Sequence, residues 1–294
     1  MTKTAFLTII GRPNVGKSTL LNSILGEKIA IVSKKPQTTR TRITGIHTVS
    51  ESQFVFLDTP GMHRPRTRLG DYMVRTATET LGEADAAILV VEARDEVGDI
   101  EKGLIERLRE GRIPALLVIN KIDTTTPEHI ARTIASYAAA YDFDAVIPMS
   151  AKNGKGVDIL LSECDRYLTE SAFFFPTDEV TDQPERQIAA EMIREKLLRV
   201  LEQEIPHGTA VVIEDFKEEQ NLLRIRAEIF CERDSHKGII IGKNGATLKK
   251  IGTYARQDME KFFGIKVFLD LWVKVKEKWR DSDVAVRNFG YREE

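Results

Sequence analysis

The chain has 294 residues, a length that favours two domains, and 42% of them are hydrophobic, enough for packed cores. Its net charge of −2 excludes a chain-wide polycation that coats nucleic acid. It shows no basic-plus-apolar leader, no apolar run near the ~18 residues of a membrane span, and two distant cysteines, Cys164 and Cys231, without CxxC spacing. A cytoplasmic, non-spanning protein with inert thiols is therefore expected.

In chain order, Phe6–Ile10 reads as a strand and Ser18–Leu25 as a helix, with Gly11-Arg-Pro-Asn-Val-Gly-Lys-Ser18 between them. That is the G-x-x-x-x-G-K-[ST] phosphate loop in its strand–loop–helix setting. Its glycines, Gly11 and Gly16, allow backbone N–H groups from Asn14 through Thr19, Val15 included, to converge on phosphate oxygens. Lys17 is expected on the β- and γ-phosphates and the Ser18 hydroxyl on Mg²⁺. Lys34–Arg42 is polar, basic and without hydrophobic periodicity, and it falls where a first switch segment belongs. Thr39 is the first choice, and Thr38 the second, for a hydroxyl that meets Mg²⁺ only when the γ-phosphate is present.

Phe54–Leu57 reads as a strand ending in Asp58-Thr-Pro-Gly61. Asp58 suits Mg²⁺ through water, and the Gly61 N–H suits sensing of the γ-phosphate. The next position, where Ras-type enzymes carry a water-orienting Gln, is Met62, whose thioether cannot do that work. Slow turnover is expected, with catalysis by Lys17, Thr39 and Gly61 through positioning and charge neutralisation. Asn14 is a candidate ligand for K⁺ as a second cofactor, or a brace for the loop.

Asp99–Arg109 and Pro127–Tyr141 read as helices, and Ala115–Ile119 and Ala145–Met149 as strands. The first of these strands leads into Asn120-Lys-Ile-Asp123, the second into Ser150-Ala151-Lys152. A carboxylate only accepts, so Asp123 can take two donors from guanine, which adenine does not offer on that edge. Lys121 can cover the base, Asn120 can tie its loop to the phosphate loop, and an N–H of 150–152 can reach the guanine carbonyl. The motif order is similar to that of the Ras-like GTPase superclass, and the strand–helix alternation predicts an α/β domain with a parallel sheet over residues 1–170, closed by a helix at Gly156–Leu168. Residues 171–184 read as a linker, with Phe173, Phe174 and Phe175 expected to pin it to a domain surface.

Residues 185–294 read as a smaller α+β domain: a helix at Glu185–Leu201 with one apolar stripe, strands at His207–Glu214 and Leu222–Cys231, helical sequence, and a last strand at Lys266–Lys276. Gly242-Lys243-Asn244-Gly245 is a GxxG loop of the kind that clamps a nucleotide backbone. Lys249 and Lys250 follow on the next helix. Residues 236–280 hold eleven Lys and Arg against four Asp and Glu, an excess of +7 that leaves −9 over the remainder. A basic stripe on an acidic chain is an RNA footprint. Trp272 and Trp279 are expected in the core rather than on bases.

A Ras-like GTPase domain followed by a type II KH domain resembles the bacterial Era family over essentially the whole chain. The resemblance rests on Gly11–Asn22, Gln37-Thr-Thr-Arg40, Asp58–Gly61, Ile193-Arg-Glu-Lys196 and Leu271-Trp-Val-Lys-Val-Lys276. It implies a factor for small ribosomal subunit assembly whose KH domain binds the 3′ region of 16S rRNA, with peripheral membrane association; the chain is expected to be a monomer. Two other readings stay open on the residues: a constitutive RNA-binding protein with a non-switching G domain, and a membrane-associated signalling GTPase.

Overall fold

Leu7, Ile9, Ile88, Val90, Leu117 and Ile119 alternate along their strands with Thr8, Ile10, Leu89, Val91, Leu116 and Val118, and both sets are buried. Strands apolar on both faces require helices above and below, the arrangement of a doubly wound sheet. The computed structural model describes residues 1–62 and 65–292, and the chain falls into two units. The first comprises Met1–Ala30, Thr39–Pro65 and Tyr72–Asp182; the second comprises Ile31–Thr38, Arg66–Asp71 and Gln183–Glu294, whose last two residues lie outside those described.

The first unit contains β1 (Lys3–Ile10), α1 (Lys17–Leu25), β2 (Ile43–Val49), β3 (Ser52–Asp58), most of α2 (Arg68–Glu83), β4 (Ala86–Glu92), α3 (Asp99–Gly111), β5 (Ala115–Asn120), α4 (Pro127–Ala138), β6 (Ala145–Pro148), α5 (Val157–Cys164) and β7 (Thr169–Glu170). The strand order is β2-β3-β1-β4-β5-β6, with β7 against β1. The expected parallel sheet needs two corrections. β2 is antiparallel to β3, because only Ser50 and Glu51 separate them and so short a connection can only reverse the chain. β7 is antiparallel to β1. The helix expected to reach Leu168 stops at Cys164 and gives way to one tight turn, Asp165–Tyr167. Cys164 is buried and its thiol is pushed up to about 12 by that burial.

The expected linker belongs to the first unit as far as Asp182. Phe173 and Phe175 are half-buried, and the Phe174 ring, though 62% exposed, meets Phe6 edge-on with centroids 5.0 Å apart. The fully buried Gln53 amide holds the segment as well. Its oxygen accepts from the N–H groups of Phe174 (2.9 Å) and Phe175 (3.1 Å), and its nitrogen donates to Phe175 O (2.9 Å) and Thr48 Oγ1 (3.1 Å). Further along, Thr181 Oγ1 donates to Thr44 O, and Ile46 N donates to Val180 O.

The second unit follows the order α6 (Glu185–Val200), β8 (Ala210–Glu219), β9 (Leu222–Cys231), α7 (Asp234–Ile241), α8 (Ala246–Phe263), β10 (Lys266–Val275), α9 (Asp283–Asn288). Its sheet runs β10-β9-β8, with β10 parallel and β8 antiparallel to β9. Leu223, Ile225, Ala227, Ile229 and Cys231 face a core shared with Ile188, Met192, Ile193, Leu197, Ile251 and Met259. β8 begins three residues later than expected because Pro206–Gly208 forms a turn, whose Gly208 carbonyl accepts the Trp279 indole N–H at 2.9 Å. Trp279 is thus core, as expected, whereas Trp272 is 58% exposed on β10. The single apolar stripe of α6 is also incomplete, since Arg194, Glu195 and Lys196 are buried with it.

Substituting Gln53→Leu keeps the volume but orphans the Phe174 and Phe175 backbone groups. It should cost about 1–3 kcal/mol in urea unfolding and make the segment 171–182 cleave faster than wild type in limited proteolysis.

Candidate nucleotide and RNA sites

Parallel pairing of β1 with β3 and β4, and of β5 with β4 and β6, brings their C-terminal ends to one edge of the sheet. Ligands of open α/β sheets bind at that edge. Every sequence-predicted nucleotide residue lies there, within the first unit: Gly11 and Asn14 to Thr19 after β1, Asp58 and Gly61 after β3, Asn120, Lys121 and Asp123 after β5, Ser150 to Lys152 after β6, and Thr39.

Ser18 Oγ donates to Asp58 Oδ2 at 2.7 Å and lies 2.8 Å from Thr39 Oγ1, which is itself 3.4 Å from Asp58 Oδ2. Thr38, the second choice, turns its hydroxyl to Lys35 O instead. The other oxygen, Asp58 Oδ1, is buried without a hydrogen-bond partner among the described residues. Two hydroxyls and a carboxylate with a spare lone-pair oxygen fit Mg²⁺, which takes hard oxygen ligands and few carboxylates. Among the described residues no group of three His, Cys, Asp or Glu offers a metal cage instead.

Lys17 is buried beside this cluster, its ammonium donating to the carbonyls of Gly11 and Arg12 at 3.2 Å each. Burial lowers its pKa to about 8, against the pull of Asp58; burial raises Asp58 to about 6, against Lys17, Ser18 and Thr39. The loop around them is held open by geometry. Gly16 has φ 104°, and a Cβ there would lie 2.3 Å from Asn120 Nδ2. Gly61 approaches Pro13 closely enough that a Cβ would lie 2.8 Å from its Cα. Met62 donates its N–H to Gly11 O and packs its side chain on the core around Ile10 and Leu89, so no polar side chain follows Gly61 there.

Asn120 joins three loops. Its amide nitrogen donates to Val15 O at 2.8 Å, and its oxygen accepts from Ala151 N at 2.9 Å. The Ala151 N–H, within the turn expected to reach a base, is therefore committed to Asn120. Lys121, at φ 64°, donates to Asn14 O at 2.7 Å. Asp123 is exposed and accepts from Ser150 Oγ at 2.6 Å, a hydrogen bond that holds its carboxyl below the usual range.

Sequence reasoning missed Glu92 and Arg12. Glu92, at the end of β4 and in register with Asn120, pairs with both Lys121 and Arg12; Arg12 also reaches Glu101 at 3.2 Å. Burial works against the Glu92 carboxylate, but Lys121 and Arg12 hold it below the usual range. The available signal was an acid at the end of an apolar run, Ala86–Val91, on the ligand edge.

In the second unit the GxxG loop joins α7 to α8. Gly242, Asn244 and Gly245 have φ of 72°, 51° and 77°, and a Cβ on Gly242 would lie 2.2 Å from Thr247 Oγ1. Lys243, Asn244, Lys249 and Lys250 are exposed, so loop and first helical turns present cations to solvent. Gly238–Ile241, which precedes the loop, is the last half of α7.

Comparison with known proteins agrees with this geometry. A family described as "50S ribosome-binding GTPase" matches residues 6–121, and one described as "KH domain" matches 204–280. Curated relatives named GTPase Era include one from Ruminiclostridium cellulolyticum, 50% identical over 99% of this chain and 98% of its own length. Another, from Clostridium acetobutylicum, is 51% identical over 99% of both. A crystal structure of Era with MgGDPNP and nucleotides 1506–1542 of 16S ribosomal RNA covers all of both chains at 38% identity and a TM-score of 0.96. A variant of Aquifex aeolicus Era bound to GDP and AlF₄⁻ matches with the same identity and score, over 99% of this chain and all of its own. With a phosphate loop, a guanine-suited carboxylate and a GxxG loop in one chain, and relatives alike from end to end, the protein belongs to the Era family of GTPases.

Proposed function

We propose that the chain is a GTP-switched RNA-binding factor for small ribosomal subunit assembly. Its GTPase domain spans 1–170 and its KH domain 185–294, joined by 171–184. The observation that carries this reading is the pairing of an assembled Ser18–Thr39–Asp58 cluster with a cationic GxxG loop in one chain. The Era structure that holds both a magnesium nucleotide and the 3′ region of 16S rRNA supports the same pairing here.

In the first unit, N–H groups of residues 14–19 bind the phosphates, Lys17 neutralises the β- and γ-oxygens, and the Gly61 N–H meets the γ-phosphate. Ser18 and Thr39 would hold Mg²⁺, with Asp58 held to it through water, and the ion would neutralise phosphate charge there. Asp123, Lys121 and the 150–152 turn select guanine. Hydrolysis is slow because Met62 orients no water. Asn14, whose carbonyl already accepts from Lys121, is the candidate ligand for a K⁺ that stands where another GTPase places an arginine. In the second unit Gly242, Lys243, Asn244, Gly245, Lys249 and Lys250 hold the RNA backbone. No helix among the described residues is long and apolar enough to cross a membrane. The chain is read as a cytoplasmic monomer, and the family resemblance adds peripheral association with the membrane face.

Asn120→Ala should weaken GDP binding at least about tenfold in calorimetry, because Val15 O and Ala151 N lose their shared partner. Gly242→Asp with Gly245→Asp should abolish binding to an oligonucleotide of the 3′ end of 16S rRNA and leave GDP affinity unchanged. If that double variant binds the RNA normally, the KH reading is wrong. Turnover should be several-fold faster in K⁺ than in Na⁺ at equal ionic strength; equal rates would remove the Asn14 role.

A further inference from the structure

Three consecutive charged residues, Arg194, Glu195 and Lys196, are buried on α6, with Arg194 only 1% exposed. Burying charge is expensive, and apolar side chains of similar volume usually stabilise as well or better. Arg194 and Glu195 find partners in residues 31–38, a stretch that runs into the switch segment Lys34–Arg42 and belongs to the same unit as α6. The Arg194 guanidinium, held by Glu191 (Nε to Oε1, 2.7 Å), donates to Thr38 O and to Gln37 O (3.4 Å). Glu195 Oε1 accepts from Val32 N at 3.0 Å, and the Lys35 ammonium donates to Leu201 O at the end of α6. Lys196 pairs with Glu195 and with Asp258 of α8. The next residue after Thr38 is Thr39, whose hydroxyl stands in the first unit among Ser18 and Asp58.

We infer that α6 is a clasp on the switch segment: Arg194 and Glu195 are positioning residues that fix the backbone at 32 and at 37–38, so that Thr39 is presented to Mg²⁺ and the γ-phosphate. This rests on the reading of Thr39 given above. Arg is suited to the task because its planar fork reaches two carbonyls and a carboxylate at once, which a Lys ammonium on a shorter reach cannot. The clasp acts on the triphosphate state alone, since Thr39 has no γ-phosphate-dependent role with GDP.

The test uses the full chain, wild type against Arg194→Lys, with Glu195→Ala as the second variant should the first fail to fold. Mg²⁺ is titrated against the complexes with a non-hydrolysable GTP analogue and with GDP. The variant should need about tenfold more Mg²⁺ for half-saturation of the GTP-analogue complex and the same Mg²⁺ as wild type for GDP. Its kcat should fall with little change in KM, and its RNA affinity should match wild type. Wild-type Mg²⁺ dependence in both variants, or an equal shift with GDP, would overturn the clasp. If wild type itself needs the same Mg²⁺ with both nucleotides, the Thr39 assignment fails, and the clasp with it.

Discussion

A lysine and an aspartate buried side by side, Lys17 and Asp58, set the terms for the rest of the first unit. Burial pulls Lys17 down to about 8 and pushes Asp58 up to about 6, so each ion is costly where it sits and each partly relieves the other. Hydrogen bonds surround the pair and offset part of that cost: Gly11 and Arg12 carbonyls on the ammonium, Ser18 and Thr39 hydroxyls on the carboxylate. What remains without a hydrogen-bond partner among the described residues is Asp58 Oδ1, a buried carboxylate oxygen. On the reading proposed above, a polyphosphate with its cation would supply opposite charge to both partners, through electrostatics already in place.

The loops around this pair are held by side chains whose role is geometric. Asn120 uses one amide to brace the phosphate loop at Val15 and the third loop at Ala151, and Glu92 gathers Lys121 and Arg12. Removing such a brace leaves the phosphate- and base-facing groups intact in composition and wrong in position, and positioning is most of what a GTPase without a water-orienting Gln can offer.

How much of this was legible in the sequence follows from range. The phosphate loop, Asp58, Asn120–Asp123 and Ser150–Lys152 are local signals at strand ends, and the alternation of strand and helix places them on one edge without knowledge of side-chain contacts. The core face of β9 was readable from its strict alternation. Antiparallel β2 was not, because Ile43–Val49 contains Gly45 and His47 and lacks clean alternation. Glu92 was missed because an acid after an apolar run has no motif. The roles of Gln53 and Arg194 were missed for a deeper reason: their backbone partners lie 121 or more residues away, in carbonyls and N–H groups that no residue type announces. Exposed Trp272 and buried Trp279 differ only in what the later chain does, since Phe289 and Tyr291 pack on Trp279.

The division of the switch segment follows the same logic. Within the switch segment one of the boundaries between the two units falls at the peptide joining Thr38 to Thr39, so the backbone before it answers to α6 and the hydroxyl after it answers to Ser18 and Asp58. Linkage then requires reciprocity: whatever nucleotide does to the clasped segment, a ligand that alters α6 or the paired Asp258 on α8 does to nucleotide by the same factor. On the reading proposed above, placement of Thr39 and Gly61 carries what position 62 cannot supply, because the Met62 thioether offers no group to orient water.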